Sequence, residues 1–158
     1  MADRLLDALL VNQVDFVVIG GVAAMLHGST LLTRDLDICV PLGASSFLKL
    51  QSALVELHPR VRAEAGYLPL QLDEARAEAL KNLYVTTDDG RLDCLGDVIG
   101  VGSYQAVLAL SEMLELDGRS CRVLGIEGLI RSKEAMNRPR DRDAIAQLKA
   151  IREGRADA

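Results

Sequence analysis

The leucines near the start of the chain recur three and four positions apart. This spacing is typical of one face of an amphipathic helix and predicts a helix over residues 3–12. A short β-rich run at residues 15–19 follows and ends at Gly20-Gly21. The six residues after these glycines predict a second, short helix that ends at Gly28, since helix C-termini favour glycine.

Polar and apolar side chains alternate over residues 34–40, and Pro41 follows them. This alternation predicts a half-buried strand that ends before the proline. Beyond it, Ser45 or Ser46 is suited to cap a third helix that reaches about Leu57. The first third of the chain therefore predicts helices and strands in alternation.

Residues 58–72 have no clear period and contain two prolines and a glycine, so we expect a loop there. Asp73 is placed to cap a helix over residues 73–81. Two further helices are predicted near the end of the chain, over residues 126–136 and about 140–153. The breaker between these two helices is the segment Asn-Arg-Pro-Arg.

Two stretches have the pattern of β-hairpins, with apolar alternation on both sides of a tight-turn pair. The first carries Asp89-Gly90 at its turn, and the second carries Asp117-Gly118. Because strands interleave with helices, the predicted class is α/β (α+β), with one small mixed sheet flanked by helices. We expect a single domain over residues 1–158, with a core of about 1–100 and a C-terminal hairpin and two helices over about 101–158.

Composition limits the classes of function. A chain of 158 residues can bury one core, and its net charge of −5 argues against a broad nucleic-acid-binding surface. The three cysteines are far apart, so neither a disulfide framework nor a zinc knuckle is expected. The first residues lack a signal-peptide pattern, and no apolar run is long enough to span a bilayer. We therefore expect a cytoplasmic protein with no membrane partner.

Two carboxylates, Asp35 and Asp37, lie two positions apart on the predicted strand and therefore share one face of it. Leu36 and Ile38 leave the opposite face and can anchor the strand in the core. Neighbouring carboxylates repel each other, and Mg²⁺ relieves this repulsion because it prefers oxygen ligands. Asp93, in the first hairpin, is the natural third carboxylate of such a site.

The Asp-x-Asp pair alone is weak evidence for a metal site. A second pair, Asp141 and Asp143, occurs where a helix begins, and capping and the helix dipole explain acidic residues there. The first pair differs in its context, because Gly20-Gly21 precedes it after a strand. Such glycines allow backbone N–H groups to approach phosphates closely, and the following helix N-terminus adds a favourable dipole.

These segments resemble the nucleotidyltransferase-fold superfamily, which is DNA polymerase β-like. Its minimal pattern is hydrophobic-Gly-Gly/Ser, a gap of about ten residues and Asp-hydrophobic-Asp/Glu-hydrophobic. Within that superfamily, the chain resembles small bacterial nucleotidyltransferases related to the abortive-infection toxins. The matching segments, in the same order, are GGVAAMLHGSTLLTRDLDI, GRLDCLGDVIG and VLGIEGLIRSKEAMNRPRDRDAIAQL.

The resemblance implies an enzyme that uses Mg²⁺ or Mn²⁺ to move a nucleoside monophosphate from a triphosphate such as ATP. The acceptor would be a hydroxyl of an RNA, a protein or a small molecule. It implies that Asp35, Asp37 and Asp93 bind the metal and that Asp93 also activates the acceptor. The implied nucleotide-binding residues are Gly20, Gly21, Ser29, Thr33, Arg34 and Lys133.

One position departs from the family pattern, because Leu31 stands where many relatives carry an arginine. Arg34 is a substitute cation, although the alternation directs it away from the face of Asp35. Two hypotheses therefore stay open: a nucleotidyltransferase, as part of a toxin–antitoxin pair, or a non-catalytic binding module that serves as an antitoxin or scaffold.

A basic cluster near the C-terminus also has two interpretations. Its members are Arg131, Lys133, Arg138, Arg140 and Arg142. They form either a solvated helix face that pairs with nearby acidic residues, or a site for a triphosphate or an RNA backbone. His27, at the end of the second helix, is interpreted as structural.

Overall fold

The computed structural model describes residues 3–116 and 118–156. Its helices are α1 (Asp3–Val11), α2 (Gly20–Leu26), α3 (Ala44–Leu54), α4 (Glu74–Ala79), α5 (Tyr104–Ala109), α6 (Ile126–Met136) and α7 (Arg142–Ala156). Short 3₁₀ turns occupy Val55–Leu57 and Pro139–Asp141. The strands are β1 (Val17–Ile19), β2 (Leu36–Cys39), β3 (Arg60–Ala63), β4 (Gly66–Pro69), β5 (Asn82–Thr87), β6 (Gly90–Leu95), β7 (Asp97–Val98), β8 (Gly102–Ser103), β9 (Ser111–Leu116) and β10 (Arg119–Leu124).

Eight strands form one mixed sheet in the order β4-β3-β5-β6-β2-β1-β10-β9, and β7 and β8 form a small separate ribbon. The pairs β1–β10 and β2–β6 are parallel, and the other pairs of the large sheet are antiparallel. This confirms the predicted mixed α/β class. The C-terminal hairpin extends the same sheet, since β10 pairs with β1. The division of the chain at about residue 100 stays a prediction.

The strand β2 shows how the core positions the site. Leu36 and Ile38 are buried on one face, whereas Asp37 between them is only partly buried. Period-two alternation thus directs the carboxylate away from the hydrocarbon side. Phe47 and Leu50 of α3 are fully buried in the same core cluster. Burial of one such side chain stabilises the fold by about 1.5–3 kcal/mol. A shift of β2 by one residue would expose its buried side chains, so its register is strongly fixed.

The predicted helices over residues 3–12 and 126–136 are confirmed, and so is Asp73 as an N-cap, whose Oδ1 accepts from the backbone N–H of Arg76 at 2.8 Å. The first hairpin is also confirmed. In the second hairpin the strands are confirmed, while Asp117 lies outside the described residues. Helix α5 was not predicted. Within the described residues, no helix combines the length and hydropathy that a membrane crossing requires.

The loop predicted over residues 58–72 was wrong, because β3 and β4 form a hairpin there. All four residues of β4 are exposed, so hydrophobic alternation gives no signal in this edge strand. Gly66 takes a positive φ of 122° at the turn. Pro69 lies at the end of the edge strand, where sheets tolerate a missing N–H.

The predicted cap of α3 was also wrong. The helix begins at Ala44 with Gly43 at the N-cap position, so Ser45 and Ser46 lie inside its first turn. A distant side chain does the capping instead, since Oε2 of Glu78 accepts from the Ala44 N–H at 2.7 Å. A local sequence rule cannot find a cap that comes from another helix.

Candidate active site

A cavity of about 1000 Å³ opens between the large sheet and α6. One wall carries carboxylates from β2 and β6 together with Asp35, which precedes β2. The facing wall carries Lys133 of α6 and Arg138, which follows that helix. The cavity therefore brings acidic and basic side chains to the same space.

The carboxylate wall depends on the register of two parallel strands. Asp37 of β2 and Asp93 of β6 are direct register partners, so their side chains leave the sheet side by side. Asp35 lies two residues before Asp37 and also lines the cavity. Nη2 of Arg91 lies 3.4 Å from Oδ1 of Asp93 and partly offsets this negative charge.

The grouping of carboxylates changes the chemistry of Asp37. Burial raises the pKa of Asp37 to about 6, and the negative charges of Asp93 and Asp35 add to this rise. The positive charges of Arg91 and Lys133 act in the opposite direction but do not cancel it. A bound cation would favour the ionised form of Asp37 and relieve its repulsion with Asp93 and Asp35.

Gly20 and Gly21 leave room beside the carboxylate wall that a side chain would fill. Gly20 has φ of +67°, a conformation that other residues rarely adopt, and a Cβ there would overlap Oδ2 of Asp37. A Cβ on Gly21 would lie 2.8 Å from Cγ2 of Thr33, which is closer than real Cβ contacts. The Gly-Gly pair is therefore required by the packing of the site as well as by the turn.

The facing wall is built around a buried ion-pair cluster. Nζ of Lys133 lies 3.3 Å from Oδ1 of Asp141, and Nε of Arg138 lies 2.5 Å from Oδ2 of the same residue. Burial opposes the ionisation of Asp141, but the hydrogen bonds and charges of Arg138 and Lys133 outweigh it and lower its pKa. The side chain of Asp141 is 7% exposed. It therefore fixes two cavity cations in place.

The structure brings most of the predicted site residues together. Those that line the cavity are Gly20, Gly21, Thr33, Asp35, Asp37, Asp93 and Lys133. Ser29 and Arg34 are not among the lining residues. Ser29 Oγ instead donates to Oε1 of Gln147 at 2.8 Å, and Arg34 is exposed. Asp35, the next residue along the chain, lines the cavity, whereas Arg34 does not.

The predicted basic cluster divides in the structure. Lys133, Arg138 and Arg140 line the cavity, whereas Arg131 and Arg142 do not. Glu134 pairs with Nζ of Lys149 at 2.7 Å. His27 is buried, and its Nε2 lies 2.9 Å from the carbonyl oxygen of Leu124.

Sequence reasoning missed several cavity residues on the β5–β6 hairpin. Tyr84 is the register partner of Asp93, and Arg91 lies two residues before it, so all three side chains share one face. Lys81 and Asn82 line the cavity next to them. The signal was available, because the period of two that identified Asp93 also selects Arg91 and Tyr84.

The donor set suits a hard cation, since carboxylate oxygens are the ligands that Mg²⁺ prefers. Asp35, Asp37 and Asp93 are the residues that would hold it. Among the described residues, however, no group of three or more Asp, Glu, His or Cys side chains stands ready around a single metal position. A metal ion here would therefore also need oxygens from a substrate, as Mg²⁺ sites commonly do.

Three solved structures illustrate the similarity of this chain to proteins of known fold. The lincosamide antibiotic adenylyltransferase LnuA has a TM-score of 0.64 at 16% identity and covers 94% of each chain. The antibiotic-resistance factor ANT(2'')-Ia has 0.58 at 14%, covering 98% of this chain and 89% of its own. A protein of Thermotoga maritima assigned as a nucleotidyltransferase has 0.58 at 13%, covering 99% and 91%.

No family model matches the chain, and no curated protein sequence matches it significantly. The structural likenesses show that the chain shares the fold of these proteins, as the sequence resemblance predicted.

Proposed function

We propose that this protein is a Mg²⁺-dependent nucleotidyltransferase that moves a nucleoside monophosphate from a triphosphate to a hydroxyl group. The observation that carries the proposal is the in-register pair Asp37 and Asp93, which faces Lys133 across one cavity. The fold supports it, because structures of that fold include an adenylyltransferase with bound lincomycin and ANT(2'')-Ia with adenylyl-2''-tobramycin.

The residues of the cavity have distinct roles in this proposal. Asp35, Asp37 and Asp93 would hold the metal ion, which would neutralise charge on the triphosphate. The backbone at Gly20-Gly21 carries no side chain that would block a phosphate group. Lys133 and Arg138 attract the triphosphate from the facing wall and stabilise the negative charge that develops during transfer.

The transfer step follows from these positions. The acceptor oxygen attacks the α-phosphorus, the bond from that phosphorus to the bridging oxygen of the β-phosphate breaks, and pyrophosphate leaves. Asp93 accepts the proton of the acceptor hydroxyl as general base. Most of the rate enhancement would come from positioning and charge stabilisation, as in phosphoryl transfer generally.

The acceptor would approach Asp93 from the β5–β6 hairpin, where Tyr84 and Arg91 line the cavity. An RNA, a protein or a small-molecule hydroxyl fits this description, and a role in a toxin–antitoxin pair in the cytoplasm belongs to the same proposal. The alternative is a binding module of the same fold that has lost catalysis, for which the leucine at position 31 is the motivating feature.

The test is incubation with each α-labelled nucleoside triphosphate, Mg²⁺ and a panel of RNA, protein and small-molecule acceptors. We expect label in one acceptor class with wild-type protein and none with Asp93→Asn. Asp143→Asn is the matched control, because it removes an exposed aspartate of the other Asp-x-Asp pair. Nucleotide binding without transfer to any acceptor would favour the binding module, and absence of any nucleotide binding would contradict the proposal.

A further inference from the structure

The loop between α2 and β2 is weakly attached to the rest of the fold. None of residues 28–35 is buried, and Leu32 is 88% exposed. No backbone–backbone hydrogen bond involves residues 30–34 within the described chain. Neither burial nor a backbone ladder therefore fixes the segment that leads into the carboxylate strand.

One side chain of α7 holds this loop. Oε1 of Gln147 accepts from Ser29 Oγ at 2.8 Å and from the Thr30 N–H at 3.0 Å, and its Nε2 donates to Thr30 Oγ1 at 3.0 Å. Ser29 Oγ also accepts from the Leu31 N–H at 3.3 Å. The backbone N–H of Thr30 can only donate, so the amide orientation of Gln147 is fixed by the network.

The held loop continues directly into the candidate site. Thr33 packs its methyl group beside Gly21, and its Oγ1 lies 3.4 Å from the backbone nitrogen of Asp35. Both Thr33 and Asp35 line the cavity. Helix α7 packs against α6, which carries Lys133. The hydrogen bonds of Gln147 therefore connect the α2–β2 loop, which leads to Asp35, with the helix that packs against α6 and Lys133.

We propose that Gln147 is a positioning residue for nucleotide binding, which it serves through the α2–β2 loop without contacting the nucleotide. This inference rests on the proposed function. Without these three hydrogen bonds, the loop samples conformations in which Asp35 is displaced. The apparent affinity for nucleotide then falls in proportion to the fraction of molecules whose loop is in the binding conformation. Nucleotide selects the competent conformation once it is bound, so the rate at saturation changes little.

The experiment compares Gln147→Met with Gln147→Glu. Methionine keeps the shape of the side chain and loses the three bonds, whereas glutamate still accepts from Ser29 and Thr30. We expect Gln147→Met to raise KM for the Mg²⁺–nucleotide about three- to tenfold with kcat within about twofold, which corresponds to a competent fraction of roughly a tenth to a third. Gln147→Glu should restore most of the affinity.

A matched control is available in Gln51, which clamps a different loop. Its Oε1 accepts from the Leu72 N–H at 2.7 Å, and its Nε2 donates to the Leu72 carbonyl at 3.4 Å, away from the cavity. Gln51→Met should lower Tm without raising KM. Hydrogen exchange at Thr30 and Leu31 should be faster in Gln147→Met than in wild type, and unchanged in Gln51→Met.

The outcomes separate this inference from the proposed function. Normal nucleotide binding by wild type with unchanged KM in Gln147→Met would overturn the role of Gln147 alone. Equal changes in Gln147→Met and Gln51→Met would reduce both residues to structural roles and would also overturn it. A wild-type protein that binds no nucleotide would overturn the proposed function and this inference together.

Discussion

The chain contains two Asp-x-Asp pairs, and the fold uses them in opposite ways. Asp35 precedes a strand and Asp37 lies in it, both line one cavity, and the charge of Asp35 adds to the cost of ionising the partly buried Asp37. Asp141 and Asp143 lie where a 3₁₀ turn becomes a helix. There the first carboxylate is buried between two cations and the second is exposed. The backbone conformation, rather than the motif itself, therefore decides whether the two carboxylates of a pair share one site or lie in different environments.

The largest expected effect is on activity. Replacement of Asp37 by Asn should lower nucleotidyl transfer by about a thousandfold, because it removes one of the charges that positions metal and triphosphate. Transfer of labelled nucleotide at saturating Mg²⁺ measures this. Asp143→Asn should leave the rate unchanged, and equal losses in the two variants would remove the distinction between the pairs.

The next largest expected effect is on stability and concerns Asp141 of the second Asp-x-Asp pair. Asp141→Asn should destabilise the fold by about 3 kcal/mol, because it leaves Lys133 buried without its anionic partner. Urea denaturation at neutral pH measures the free energy of unfolding. The folded-state pKa of Asp141 is below its ordinary value of 3.8, so this stability is present above pH 3.8 and is lost as pH falls through the folded pKa. A loss below about 0.5 kcal/mol, typical of surface substitutions, would contradict it.

The smallest expected effect is a gain in stability, in contrast to the loss expected for Asp141→Asn. The folded-state pKa of Asp37, about 6, lies above its ordinary value of 3.8, so its ionisation disfavours the fold as pH rises between these values. Without metal, Asp37→Asn should therefore stabilise the protein by about 1 kcal/mol at pH 8, after allowance for solvent screening of a partly exposed group. The gain should vanish near pH 4. Thermal denaturation at the two pH values measures this gain, and a variant less stable than wild type at pH 8 would contradict the cost that burial and the neighbouring carboxylates place on ionised Asp37.

The position of the carboxylate wall could be predicted from the sequence, because that wall depends largely on local periods. The role of its residues stays a prediction. The alternation of β2 fixes the face of Asp37, Asp35 two positions earlier lines the same cavity, and a hairpin with a recognisable turn supplies Asp93. Tyr84 and Arg91 followed from the same period and were overlooked. The strands and helices with a buried face were predicted for the same reason, because their buried residues give a periodic pattern of apolar positions in the sequence.

The features that sequence did not predict depend on distant partners or on exposed backbone. The hydroxyl of Ser29 belongs to Gln147 rather than to the cavity, and the two are 118 residues apart in sequence. The cap of α3 comes from Glu78, 34 residues beyond Ala44. The hairpin β3–β4 is largely exposed and therefore leaves no apolar period. Such contacts are decided by tertiary packing, which a local pattern does not encode.

The strands β2 and β6 each carry a buried cysteine close in sequence to their carboxylate. Cys39 and Cys94 are free and fully buried, and burial raises the pKa of the Cys39 thiol to about 12 and that of Cys94 further still. The thiolate is the form that reacts with oxidants and soft metals, and these sulfurs are held in the protonated form. The two strands that carry Asp37 and Asp93 therefore also carry thiols that burial keeps unreactive towards oxidants.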